Sequence, residues 1–472
     1  MSQLWAVARN LMIEVLRIRP LIWLMTVFFS VITFGFGYWL HKGLGTADQK
    51  VQTFISYSLS ITAAFLAFFT IFFSIASVTR DIKYKQVFTV TTKPISRMGY
   101  LTGKFLGMAV FNLGLLLVSG TLIYGMVRVL ARYEPQQDPD PAWSRTRLEH
   151  LVLVARESVY PQQVGFDQAE FQRQVQEEVE KVVAREMENY YLQDPAETEK
   201  RRKSETQLWT NALMLRARTV MPGDQIIWHF AGLKPIRREN SFVFIRYKQE
   251  TYPNPLDMMI LGNWWYGGAE NVLYTGKSFS LREESRVPHE FKLEAKAVSE
   301  TGDLYVAYEN DSRNMPTMVV FPEPNPSREQ IGIEALYLAG GFAGNFLRSL
   351  TAIYFRLLFL SVLGIALGAW LSYPVAVLTG LVIFFIGMCS NFILASVRYE
   401  LGSKVLGPAN ILMTFLPQLA AYDPISAIEK GRIVPYQMLA NCLVVLLLIK
   451  GGVIGLLGYL VFKFRELARV IV

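Results

Sequence analysis

Six cations stand between residues 79 and 104, namely Arg80, Lys83, Lys85, Lys93, Arg97 and Lys104, with Asp81 as the one acid among them. Gathered in one short loop, these charges can enforce membrane topology, or give a soluble motor a rigid basic loop to push on. Other reactive patterns are sparse. Gly276-Lys277-Ser278 comes nearest to a phosphate-binding loop, but Asn271 stands where that motif needs glycine, and the flanking alternation reads as strand with no helix following. Asp138-Pro139-Asp140 has the form of a glycosyltransferase-like Asp-x-Asp, yet sits in a Pro-rich linker beside an apolar stretch. The four histidines (His41, His150, His229, His289) are scattered, and none falls in a His-Glu-x-x-His pattern. The sequence thus predicts no catalytic residue, no metal ligand and no cofactor-binding residue in this chain.

The segments that must position these cations are apolar. Residues 54–78 before the basic stretch and 105–127 after it contain no Asp, Glu, Lys or Arg, and each is long enough to cross a hydrocarbon core of about 30 Å as a helix. Four more stretches read the same way: 21–40, 351–371, 375–397 and 437–462. The composition agrees, with 52% hydrophobic residues and a mean hydropathy of +0.26. The expectation is an α-helical polytopic membrane protein with six transmembrane helices. Short loops rich in Lys and Arg stay in the cytoplasm, so the 79–104 loop is expected there. An even number of spans puts both termini on that side too, in keeping with Arg9, Arg17 and Arg19 at one end and Lys463, Arg465 and Arg469 at the other. The first apolar run is too long for the core of a cleaved signal peptide, and no small-residue cleavage pattern follows it.

Residues 1–19 pattern as an amphipathic helix, with Leu4, Ala8, Leu11 and Val15 on one face, expected to lie flat in the cytosolic interface. Residues 20–131 would carry the first three spans, and 346–472 the last three with a basic cytosolic tail. Between them, 132–345 reads as an extracytoplasmic α+β insert. From 133 to 345 it holds 32 Asp and Glu against 24 Lys and Arg, whereas the whole chain is +8. Its helical part, 165–218, follows a three-and-four-residue apolar period (Phe171, Val175, Val179) and then restarts at Asp194-Pro195, which predicts a helical hairpin. The run Lys200-Arg201-Arg202-Lys203 is expected to be a solvated face of it. Past Pro222-Gly223 the period becomes two, as in 241–248, 291–297 and 302–308, and seven or eight short strands predict an antiparallel β-sandwich over 222–345. Both cysteines, Cys389 and Cys442, fall in predicted spans, so the insert has no disulfide.

Four further sites stand out. Lys450 lies mid-span, where an ammonium must find a cavity, a partner helix or a dimer seam beside Gly451 and Gly452, and could meet an anionic substrate or lipid. Arg356 reads as an interfacial anchor. Trp264, Trp265 and Tyr266 could form an aromatic ligand surface, although adjacent strand residues point to opposite faces. Asn310-Asp311-Ser312 is a formal glycosylation sequon.

Arg80-Asp81, then Lys93-Pro94-Ile95-Ser96-Arg97, then Gly103-Lys104, together resemble the cytosolic signature of type-2 ABC exporter permeases. The six-span plan, the N-terminal helix, the segment Leu371-Ser372-Tyr373-Pro374 and the tail Phe464-Arg465-Glu466-Leu467 are similar as well. The resemblance covers about 1–131 and 345–472. The chain departs from the family pattern at Lys85-Gln86, where Gly-Thr is common, and in its large insert. The resemblance implies that the 79–104 loop (Arg80, Asp81, Lys83, Lys93, Pro94, Arg97 and Lys104) couples to separate ATPase subunits that bind ATP and magnesium. It further implies a second permease chain, homo- or heterodimeric, in a bacterial inner membrane. Lipid and an extracytoplasmic protein are the other expected partners, and nucleic acid is not. The runner-up expectation is a mechanotransmission or assembly scaffold whose outer domain moves without transport. A membrane-bound enzyme would need convergent acids or a nucleophile–base pair within 133–345.

Overall fold

The computed structural model of the chain describes residues 2–17, 19–43, 45–84, 96–188, 194–236, 241–252, 259–312, 317–322, 332–393, 396 and 416–464. Its main helices are α1 (Ser2–Arg17), α2 (Arg19–Ser30, carried on by a π-helical turn Val31–Phe36 and by Gly37–Lys42), α3 (Ala47–Lys83), α4 (Arg97–Tyr133), α5 (Gln168–Glu188), α6 (Pro195–Ala217), α7 (Phe342–Trp370), α8 (Tyr373–Met388) and α9 (Tyr436–Phe464). They belong to two compact units, Met1–Ala155 with Gly340–Val472, and Arg156–Ala339.

In the first unit four helices are long and apolar enough to cross a membrane: α3, α4 with its extension to Gln137, α7 and α9. The expected fifth span, 375–397, lies partly outside the described residues, and its described helix α8 has 16 residues, or about 24 Å. The expected first span coincides with the α2 run. Helices α3 and α4 each have 37 residues, about 55 Å, so their ends carry charge well beyond the apolar stretches. Small and polar residues knit the bundle. A Cβ on Gly368 of α7 would lie 2.9 Å from the Ile75 carbonyl oxygen, so only glycine allows α7 that close to α3. Asn112 of α4 accepts from Thr70 of α3 at 3.1 Å and donates to Ser361 of α7 at 3.3 Å, joining three helices by one amide.

The insert expected at 132–345 is smaller than its sequence suggests. Residues 134–155 fold with the helices, where Glu134 is buried between Lys50 (2.9 Å) and His41 (2.6 Å), and Arg147 pairs with Asp48 at 2.8 Å. The acid pair Asp138/Asp140 is capping. Asp138 accepts from the Ala47 N–H at 3.0 Å and from Ser144, and Asp140 caps the short helix Pro141–Arg147 through the Trp143 N–H.

The second unit has twelve strands among the described residues: β1 (Val154–Val159), β2 (Gln162–Gln163), β3 (Thr219–Val220), β4 (Gln225–Phe230), β5 (Phe242–Lys248), β6 (Glu250–Tyr252), β7 (Met259–Gly267), β8 (Lys277–Glu284), β9 (Pro288–Glu294), β10 (Leu304–Asn310), β11 (Met318–Val320) and β12 (Ile333–Gly341). They form three sheets, ordered β1-β12-β5-β9, β2-β4-β10-β7-β8 and β3-β11-β6, and all the registered pairs are antiparallel. The first two face each other across one core that holds Tyr247, Leu293 and Ala335 from one sheet and Trp228, Trp264 and Val306 from the other. The sandwich reading therefore holds for these two, with a small third sheet added, and the module begins upstream of residue 222. Helices α5 and α6 are inserted between β2 and β3. Strands of two residues leave no readable period. In β1, Arg156 points inward, paired with Glu290 at 3.0 Å, which breaks the alternation. The predicted strand through 297 stops at Glu294, where a single 3-10 turn, Ala295–Ala297, buries Ala295.

The helical hairpin is as expected. Phe171, Val175, Val179 and Val183 of α5 pack with Trp209 and Leu213 of α6. The charge run is paired across the hairpin, Arg201 with Glu186 at 2.6 Å and Arg202 with Glu180 at 3.1 Å, as a solvated face should be. The sequon is not modifiable in this fold: Asn310 is fully buried and its amide donates to the Val220 and Thr317 carbonyls at 2.9 and 2.7 Å.

The sandwich core predicts a pH limit. Burial, reinforced by the Glu283 carboxylate that Tyr247 donates to, pushes the Tyr247 phenol far above its ordinary value, and burial does the same to Tyr308. A pKa raised by folding stabilises fully below the unfolded value of about 10 and less as pH climbs beyond it. The sandwich should therefore loosen from about pH 10 upward, read by tryptophan fluorescence together with tyrosinate absorbance. Among the described residues the Tyr308 hydroxyl has no hydrogen-bond partner. Tyr308→Phe thus removes one held proton without breaking a bond, and should flatten the alkaline fall.

Candidate functional site

The expected coupling residues converge where α3 ends and α4 begins. Lys93 and Pro94 lie outside the described residues, as does Lys85. The other five split into three roles. Asp81 and Lys104 form an ion pair of 2.8 Å, in which Lys104 is only 2% exposed, and the Tyr100 hydroxyl donates to the same carboxylate oxygen at 2.6 Å. These two side chains therefore form an internal brace between α3 and α4. Arg97 is also turned inward. Its guanidinium donates to the Phe462 and Lys463 carbonyls at 3.1 and 2.6 Å, satisfying acceptors that the end of α9 leaves open. Only Arg80 and Lys83 present their charge outward, with Arg80 half-exposed and 3.1 Å from Glu14 of α1.

Local sequence explains the brace. Ser96 caps α4, its hydroxyl accepting from the Gly99 N–H at 3.0 Å, and this starts the helix so that Arg97, Tyr100 and Lys104 fall on one side, three and four residues apart. The Tyr100 ring stacks on Phe462 of α9 at 5.8 Å and 13°. The three helix ends are thus tied by charge, a hydroxyl and a ring.

Helix α1 adds a fourth member. Its expected apolar face is correct at Ala8, Leu11 and Val15, but that face is covered by α4 rather than left to an interface. The cover was unreadable because it consists of missing side chains: a Cβ on Gly107 would lie 2.9 Å from the Ala8 carbonyl oxygen and 3.2 Å from its Cα. Gly107→Val should accordingly lift α1 off and cost about 1–3 kcal/mol through overpacking. Thermal unfolding would register the cost, and faster proteolysis within residues 2–17 would show the detachment.

Between the end of α3 and the start of α8 lies a cavity of about 510 Å³, lined among others by Thr79, Arg80, Lys83, Tyr84, Ser372 and Tyr373. Two cations, two phenol rings and two hydroxyls around a recess of that size suit an acidic, partly apolar protein segment.

Elsewhere the expected sites are recast. Lys450 sits in a ten-residue π-helical stretch, Cys442–Gly451, and its ammonium donates to the Leu416 carbonyl at 2.6 Å. Its partner is within the chain. Two glycines further along α9 are also used internally, since a Cβ on Gly458 would lie 2.8 Å from the Ala366 Cα and one on Gly455 would lie 3.3 Å from Val362 of α7. Arg356 is no interfacial anchor: it is 8% exposed and donates to Asp423 at 2.9 Å. Asp423 and Glu429, the latter bonded to Ser56 of α3 at 2.8 Å, were missed. They come from an irregular stretch between apolar runs, and an acid with no periodic context carries no signal of what it will meet.

In the second unit Trp264 is 1% exposed, packed between Tyr247, Tyr308 and Phe291 at 4.6, 4.8 and 5.0 Å. It is core, which removes it from the proposed ligand surface. Trp265 and Tyr266 are half-buried. His229 meets Asp303 at 2.8 Å and stacks on Tyr305 at 4.5 Å. Hydrogen bonds from Thr301 and then His229 hold the Asp303 carboxyl below its ordinary range. Asp303, not a hydroxyl, is what His229 faces, so no nucleophile–base pair forms there. Among the described residues no three or more His, Cys, Asp or Glu side chains are grouped to hold a metal ion. Compared with protein-family models, curated proteins and solved structures, the chain matches none.

Proposed function

We propose that this chain is the membrane-spanning permease subunit of an ATP-driven exporter of the type-2 ABC class, pushed by separate ATPase subunits at the α3–α4 end. In this reading the α2 run and the segment beginning with α8 supply the two spans beyond the four long helices, both termini are cytosolic, and the 156–339 unit is outside the bacterial cytoplasmic membrane. ATP and magnesium belong to the partner, and a second permease chain completes the complex. One observation carries it: Arg80 and Lys83 face outward beside a recess of about 510 Å³, on helix ends made rigid by the Asp81–Lys104–Tyr100 brace. A motor that presses there moves α1, α3, α4 and α9 together, because rigid elements transmit a push where a loose loop would absorb it.

The test is purification from membranes without a tag on any partner. An ATPase that copurifies, and whose hydrolysis in vesicles accumulates a cargo across the bilayer, supports export. Hydrolysis with motion of the outer unit and no cargo movement would turn the assignment to mechanotransmission. Full function from the chain alone would sink both.

A further inference from the structure

Arg356 lies in α7, among the most enclosed of the long helices, and an ionisable side chain in such a place marks a functional site by default. Its Nη1 donates to Asp423 Oδ1 at 2.9 Å, and its Nη2 lies 3.0 Å from the Met388 Sδ, a weak acceptor. A guanidinium offers five N–H donors, and among the described residues no further acceptor takes the rest. A void of about 90 Å³ adjoins, walled by Ser60, Ala64, Leu360, Phe384, Arg356 and Asp423. It has room for roughly three water molecules. The carboxylate partner is loosely committed. Asp423 stands between a single 3-10 turn, Ala420–Tyr422, and the short helix Ile425–Glu429, and its side chain is 31% exposed against 9% for Arg356. A pair built for stability alone would enclose and saturate both charges. Here the cation is enclosed and beside a space, while its anion is partly exposed.

We propose that Arg356 receives an anionic oxyacid group, a phosphate or a carboxylate, in the adjoining void, either free or as the headgroup of an amphiphile whose apolar part stays outside that void, with Asp423 occupying the guanidinium when no such group is present. The incoming anion replaces the carboxylate ion for ion, so the buried cation is never left unpaired. The proposal takes its purpose from the export reading and its chemistry from the site alone. Failure to capture an ATPase would leave the binding results below standing.

The full chain in a neutral detergent, analysed by native mass spectrometry, gives the test. The probes are a short-chain phosphatidic acid, the diacylglycerol with the same chains, and inorganic phosphate. The wild type should retain phosphatidic acid and release diacylglycerol. Asp423→Asn, with the internal competitor gone, should bind phosphatidic acid at least threefold more tightly. The double variant Arg356→Gln with Asp423→Asn has no unpaired buried charge, so it keeps the fold, and should lose at least tenfold in affinity. Arg356→Lys should retain part of it. Inorganic phosphate competing as well as the lipid would identify a soluble oxyanion as the occupant and uphold the receiving role of Arg356. Equal retention of diacylglycerol, or undiminished binding by the double variant, would overturn the proposal.

Discussion

Reversing the two outward cations, Arg80→Glu with Lys83→Glu, should abolish copurification of the proposed ATPase, lowering its yield at least tenfold while the chain itself stays folded. Both side chains are solvent-facing, and the single ion pair at stake, Arg80 with Glu14, is an exposed one worth only about 0–1 kcal/mol. The fold therefore has little to lose. Docking has much more, because opposite charges that meet across a forming interface steer the encounter, whereas like charges brought together cost several kcal/mol. The measurement is the ATPase-to-permease ratio after solubilisation, with thermal unfolding of the variant alone as the control for folding. An unchanged ratio would remove the recess from the coupling account. A conservative pair, Arg80→Lys with Lys83→Arg, should keep most of the partner and separate charge from shape. Added salt should weaken the wild-type complex in the same direction, since exposed attraction fades over a Debye length of about 8 Å at physiological ionic strength.

How far the sequence could foretell this site depended on the physical signal each residue gives. The apolar stretches 54–78 and 105–127 announced α3 and α4 because burial of a long helix needs an unbroken apolar composition. The hairpin α5–α6 announced itself through Phe171, Val175 and Val179, which repeat at the helical period. The gathering of cations at the α3–α4 end was legible too, but not which of them pair within the chain. Lys104 looks like Lys83 in a list of charges; only its fall on the buried side of α4, 2.8 Å from Asp81, makes it structural. Arg97 reads as a loop cation until the end of α9, more than three hundred residues on, presents carbonyls to it. Arg356 shows the same limit from the other direction, since its acid lies 67 residues downstream in a stretch with no period at all. Charge patterning reports where ions are numerous, and pairing over long sequence separation is a property of the fold. The small strands β2 and β3 were lost for a simpler reason: two residues cannot alternate.

Breaking the brace from one side should strongly destabilise the helix unit. Lys104→Ala leaves Asp81 in a site where its side chain is about one-tenth exposed and where, among the described residues, the Tyr100 hydroxyl remains to meet the carboxylate. Removing one partner of a buried pair costs about 3–5 kcal/mol, because the surviving charge is neither solvated nor balanced. Asp81→Ala strands the Lys104 ammonium in the same way, with the Tyr100 ring 5.7 Å away as partial compensation. The double variant Asp81→Asn with Lys104→Met takes both charges away while keeping size and the Tyr100 hydrogen bond. It should recover most of the loss, since an apolar replacement of a buried ion pair is often neutral. Thermal or denaturant unfolding in detergent reads the three stabilities, and the coupling assay reads what the brace is for. If rigidity alone matters, the double variant should still hold the ATPase and respond to it. A double variant that is stable, binds the ATPase, and yet fails to transmit hydrolysis would show that the pair itself is switched during the cycle, making Asp81 and Lys104 moving parts of the coupling end and not merely its frame.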